Sequence, residues 1–120
     1  MASKAKLEHY KRLNGKFLRD AEEALAQGDT VQASEKFWGA AAEIVKAYAA
    51  KKGLRAQTHA DLWTLVIKLD RENPRLGLHE EFLTAGYLHS NFYEDELRPE
   101  SVRLAGNVVK RVIQKMEQFL

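Results

Sequence analysis

Phe37-Trp-Gly-Ala-Ala-Ala-Glu-Ile-Val-Lys-Ala-Tyr-Ala49 carries two apolar stripes at helical spacing, Phe37, Ala41, Ile44 and Tyr48 beside Trp38, Ala42, Val45 and Ala49. Steps of three and four residues stack side chains on one face of an α-helix. Two adjoining stripes make that face broad, so this helix is buried against more than one neighbour. The small residues Gly39 to Ala42 thin it in the middle, where another helix is expected to cross closely.

The flanking sequence supplies those neighbours. A first helix is expected from about Lys4 to Gln27, with Leu7, Tyr10, Phe17, Ala21 and Ala24 on one side and Gly28 placed to end it. Asp29 or Thr30 caps the second helix, which runs to about Lys52 and closes at Gly53. Thr58, with Asp61 three residues on, forms a variant capping box for a third helix that Pro74 stops. Leu62, Trp63, Val66, Ile67 and Leu69 are its apolar face. A fourth helix from about Leu76 to Glu96 carries Leu78, Phe82, Ala85, His89 and Phe92, and Pro99 suits the first turn of a fifth. That fifth helix holds Val102, Ala105, Val109, Val112, Met116 and Phe119 in strict 3-4 alternation, a heptad seam.

No stretch alternates with period two and no Asn-Gly or Asp-Gly hairpin signal occurs, so strands are not expected. Short joints punctuated by Gly and Pro favour antiparallel neighbours. The fold expected is all-α: an up-and-down helical bundle of four long helices plus one shorter helix, in a single domain spanning residues 1–120.

The chain has 120 residues, 45% apolar and 30% charged, the balance of a folded domain with one core. It has no cysteine, which removes disulfides and thiolate chemistry and fits a reducing, cytoplasmic setting. No apolar run approaches the roughly 20 residues of a membrane span, and no signal-peptide core precedes the first helix. The formal net charge of +2 does not by itself imply nucleic acid, but the charge is unevenly placed. Residues 71–97 hold two basic against six acidic side chains, whereas 98–120 hold five basic against two acidic. The acidic excess falls on the fourth helix, with basic excess at both ends of the chain.

That helix also contains the chemistry. In Ala85-Gly-Tyr-Leu-His-Ser-Asn-Phe-Tyr-Glu94, polar groups interrupt an otherwise apolar helical run. Burying an imidazole or amide without a partner costs roughly 1 to 3 kcal/mol, so such groups are there for a structural bond or for a ligand. His89 lies on the stripe of Phe82, Ala85 and Phe92. One reading is an interior histidine bonded to a neighbour; the other is an acid/base or RNA-contacting group with Asn91, Tyr93 and Glu94 around it. No nucleophile is adjacent. His9, His59, His79 and His89 are scattered, without a metal-ligand spacing, so neither a metal nor a cofactor is expected. His59 follows the Thr58 cap and reads as helix-start chemistry, and Trp38 and Trp63 read as core.

The blocks Gly28-Asp-Thr-Val-Gln-Ala-Ser-Glu-Lys-Phe-Trp-Gly-Ala-Ala-Ala-Glu43, then Gly53, Thr58-His59 and Tyr87-Leu-His-Ser-Asn-Phe-Tyr-Glu94, resemble the archaeal PaREP family of HEPN-like proteins. The resemblance implies a helical bundle, often dimeric. Some HEPN domains are ribonuclease toxins, and others are non-catalytic partners of minimal nucleotidyltransferases. In ribonuclease members it implies an Arg followed, after four to six residues, by a His near the dimer interface. His89 resembles that histidine, but the positions for the arginine hold Phe82, Leu83 and Thr84, and Arg75 and His79 are separated by three residues. An arginine is the natural partner of a phosphate in RNA cleavage. The expectation is therefore a non-catalytic dimeric module binding a nucleotide, RNA or a protein partner through His89, Asn91, Tyr93 and Glu94. The alternative is a metal-independent ribonuclease with a degenerate Arg/His motif, in which Arg98 or Arg103 reaches His89. A homodimer is expected from the seam of the fifth helix together with more apolar helix faces than one bundle of this size readily covers; Val109 on that seam is either part of the contact between chains or core of a single chain.

Overall fold

The computed structural model describes residues 2–120. Five helices follow in order: α1 Lys4–Ala26, α2 Thr30–Lys52, α3 His59–Glu72, α4 Leu78–Glu94 and α5 Pro99–Glu117. No strand occurs among the described residues. The four long helices alternate in direction, and the short α3 is inserted between the second and third of them.

Sequence dictates most of the helix ends. Asp29 caps α2 by accepting the Gln32 N–H, and Gly53 closes it in the left-handed conformation at φ 69°. Thr58 and Asp61 form a full capping box on α3: Thr58 Oγ1 accepts from Asp61 N at 3.1 Å, and Asp61 Oδ2 accepts from Thr58 N at 3.1 Å. Pro99 occupies the first turn of α5. The ends of α4 differ from the expected Leu76 and Glu96 because side chains define them. At its start Asp70 of α3 accepts from the N–H groups of Leu78 (2.7 Å) and His79 (3.1 Å). At its end Asp95 turns left-handed at φ 49°. The Asp70 cap joins two helices and is not encoded by the residues next to α4, whereas the left-handed turn at Asp95 is local and one that Asp tolerates.

Helix α2 is the hub, and its broad face is shared among α1, α4 and α5. Helix α1 runs antiparallel along it. The Gly39 surface is where they meet: a Cβ there would lie 3.1 Å from the Phe17 ring. Beside it the buried Asn14, absent from the expected α1 stripe, donates to the Ala40 carbonyl at 2.7 Å. On the opposite side α5 crosses parallel to α2, and a Cβ on Gly106 would sit 2.6 Å from the Phe37 ring. Small residues thus set both crossing distances.

The α5 seam does not form a dimer contact. Val102, Val109, Val112 and Met116 are fully buried inside the single chain, packed in the common core with Phe37, Ile44 and Phe82. One chain covers them because α2 and α4 both pack on α5. The large apolar side chains left on helix surfaces are elsewhere, Leu83 and Tyr87 on α4 at 55% exposure each, Tyr93 near the end of α4, and Leu104 on α5 at 68%. No helix among the described residues is long and apolar enough to cross a membrane.

Candidate functional site

The second half of α4 lies antiparallel to the first half of α2, and this pairing assembles what surrounds His89. Glu35 of α2 accepts from His89 Nδ1 at 3.0 Å through Oε1 and 3.2 Å through Oε2. A carboxylate only accepts, so Nδ1 carries the hydrogen, and Nε2 is the nitrogen left for other partners. The imidazole stacks on Trp38, with ring centroids 5.5 Å apart and planes 30° from parallel. His59, from the first turn of α3, meets it edge-on at 5.2 Å, and Tyr93, one turn along α4, at 5.5 Å. His59 also packs edge-on against Trp38 at 5.2 Å. Two imidazoles, an indole and a phenol therefore form one aromatic cluster with a carboxylate on its α2 side.

The side chains of His89 and Glu35 are both a little over a quarter exposed, so the cluster is neither sealed core nor open surface. His59 is exposed, and Tyr93 stands at 70% exposure. Glu94, Asp95 and Glu96 follow on the same exposed end of α4. No arginine takes part in any described hydrogen bond or ring contact of His89. Arg98 and Arg103 are exposed and make no ion pair among the described residues, and Arg55 is bonded to Asp61 at 3.1 Å.

Asn91 sits differently from the other three residues picked out on α4. It is 1% exposed, and its side chain is committed to the protein. Nδ2 donates to Ser34 Oγ of α2 at 2.8 Å, and Ser34 Oγ donates to the Thr30 carbonyl at 2.7 Å. Oδ1 accepts from Glu96 N at 2.9 Å and Leu97 N at 2.8 Å. Asn91 thus ends α4, fixes the turn into α5 and ties both to α2. It is part of the framework at this end of α4, with Nδ2 and Oδ1 both bonded within the chain.

Sequence inspection did not find Glu35, Ser34 or the approach of His59. Glu35 and His89 are 54 residues apart, and nothing local to either marks the pairing. His59 does act at a helix start as expected, but the reversal of the chain after Gly53 also brings its ring to His89. No group of three or more His, Asp or Glu side chains among the described residues could hold a metal ion.

The fold recurs in a crystal structure of a protein from Sulfolobus solfataricus, at a TM-score of 0.79 and 23% identity over 89% of this chain and 95% of that one. No curated protein matches the sequence. Residues 9–113 match the sequence profile of the Archaeal PaREP1/PaREP8 family. That match spans the bundle from α1 to α5 and includes Glu35, His59, His89 and Asn91, and the chain belongs to this family.

Proposed function

We propose that the chain is a non-catalytic HEPN-like module that works as a homodimer and docks a protein partner, of the minimal nucleotidyltransferase kind, on the surface at the C-terminal end of α4. The observation that carries this reading is the His89 environment: a carboxylate on Nδ1, aromatic rings around the imidazole and no guanidinium beside it. Cleavage of a phosphodiester needs charge stabilisation at the phosphate as well as proton transfer, and Glu35 brings charge of the wrong sign. The surrounding surface is also acidic, with Glu94, Asp95 and Glu96 exposed next to Tyr93. An acidic rim repels the backbone of RNA and the phosphates of a nucleotide, whereas it complements a basic protein surface, with the exposed Tyr93 as an aromatic anchor.

For the dimer contact the support comes from Leu83 and Tyr87, one turn apart on the outer face of α4, with Leu104 on α5. A two-fold contact uses the same patch twice, so three exposed apolar side chains per chain become six at the interface. The test of docking is complex formation with a minimal nucleotidyltransferase, followed by size-exclusion chromatography. The expected result is a complex that weakens with salt and is lost when Glu94 and Glu96 are both replaced by Lys. Failure to form a complex, or a complex indifferent to those charge reversals, contradicts the reading.

A second reading is a metal-independent ribonuclease with a degenerate Arg/His motif, and His59 favours it. Two imidazoles in edge contact have the composition of an acid/base pair, one able to accept a proton while the other donates. The two readings part on whether RNA is cut.

A further inference from the structure

Asparagine occurs at four positions, and Asn14 is the one that a glycine follows. The pair lies inside α1 and not between strands, with the Asn14 side chain turned onto α2. Gly15 has no packing reason to be glycine. Gly39, Gly86 and Gly106 stand against the rings of Phe17, Trp63 and Phe37, where a Cβ would press on an aromatic neighbour. A Cβ on Gly15 would meet only Arg19 Nη1, at 3.3 Å, the far end of a flexible side chain. Its backbone does not require glycine either, since it sits mid-helix without a positive φ, where glycine is less favourable than alanine.

What the glycine supplies is reactivity. The backbone nitrogen that follows an asparagine is a nucleophile within reach of the side-chain amide carbon, and a glycine, lacking Cβ, hinders that approach least. Pro74 after Asn73 has no N–H to lose, and Asn91 and Asn107 are followed by the bulky Phe92 and Val108. The fold holds the reaction off at Asn14. That residue is 8% exposed, and its Nδ2 donates to the Ala40 carbonyl at 2.7 Å. The helical backbone also commits the Gly15 N–H and keeps its nitrogen away from Asn14 Cγ. Both restraints end when α1 lifts from α2. Helix α1 is the one best placed to do so: of its 23 residues only Asn14 and Ala21 are buried, and nearly all its contact is with α2.

We propose that Asn14-Gly15 is a latent self-modification site, closed while α1 lies on α2 and converted to aspartate or isoaspartate when α1 opens. Gly15 N bonds to Asn14 Cγ and gives up its proton; the Cγ–Nδ2 bond breaks, and Nδ2 leaves with that proton as ammonia. The five-membered imide then takes up one water. Opening at the Cγ–N bond gives aspartate, and opening at the main-chain carbonyl gives isoaspartate, in which the chain runs through Cγ and the helix is broken. An aspartate here brings acceptor oxygens against the Ala40 carbonyl, one turn along α2 from Glu43, itself 8% exposed with Oε2 buried and unpartnered. A lost bond and two buried charges of one sign keep α1 from returning.

The test is mass spectrometry of the peptide bearing Asn14 after incubation in mildly alkaline buffer with and without urea. A gain of one mass unit is expected readily in urea and at least about tenfold more slowly in the native protein. Phe17→Ala, which loosens the contact at Gly39, should speed native conversion, and Gly15→Ala should suppress conversion in urea without lowering the melting temperature. Asn14→Asp should be cut by trypsin within α1 sooner than the wild type, while α2 to α5 stay intact. The proposal is overturned if Asn14 does not convert in urea, if the native protein converts as fast as the unfolded one, if Phe17→Ala leaves the native rate unchanged, or if Asn14→Asp resists trypsin as the wild type does.

Discussion

At the residue scale, two polar side chains two positions apart on α4 have separate roles. Asn91 is buried with its donor and acceptor satisfied by Ser34, Glu96 and Leu97, while His89 keeps one nitrogen free beside an exposed Tyr93. Asn91→Ala leaves the backbone N–H groups of Glu96 and Leu97 without their acceptor and removes the donor to Ser34 Oγ, which keeps its bond to the Thr30 carbonyl, and about 2 to 3 kcal/mol of stability should go with them. Thermal denaturation should show this as a clear fall in melting temperature. Tyr93→Ala and Glu94→Ala, at exposed positions, should stay within about 0.5 kcal/mol of the wild type. The sequence singled out all four α4 residues because polar groups in an apolar run need a reason, but it could not separate a structural reason from a functional one. That distinction depends on Ser34, 57 residues from Asn91, and on a turn whose path is set only after folding.

At the scale of elements, helix ends governed by neighbouring residues were legible and those governed by distant residues were not. The Thr58 and Asp61 box was readable because both partners lie within one turn; the Asp70 cap on α4 was not, because donor and acceptor meet only when α3 folds back. The box also gives a pH signature. The N–H of Gln57 first, then Thr58 N–H and the Arg55 guanidinium, hold the Asp61 carboxyl below its ordinary range. A carboxyl depressed in the folded state contributes stability that is complete above its unfolded value and is lost as pH falls through its folded value. Denaturation followed downward from neutral pH should therefore show part of the acid destabilisation missing in Asp61→Asn, which is less stable at neutral pH and flatter in acid. Equal acid sensitivity in the two proteins would contradict this role.

At the scale of the whole molecule, the order of helices and the broad face of α2 followed from periodicity, because spacing alone determines which side chains share a face. What periodicity could not assign was the partner of each face. The 3-4 seam of α5 matches a coiled-coil contact between chains equally well, yet the structure fills it from α2 and α4 of the same chain. Val109→Glu buries a charge in that core and should unfold the protein. Tyr87→Glu, on the exposed face of α4, should instead leave the fold intact and convert dimer to monomer in sedimentation at tens of micromolar. A wild type that sediments as a monomer there removes the dimer from the account. On the reading proposed above, His89, held by Glu35 and flanked by aromatic rings, serves recognition rather than cleavage. Incubation of the purified protein with single-stranded RNA and tRNA in the presence of EDTA tests it most directly. RNA is expected to stay intact with the wild type, His59→Ala and His89→Ala alike; cleavage by the wild type that disappears in a folded His89→Ala protein would make His89 catalytic instead.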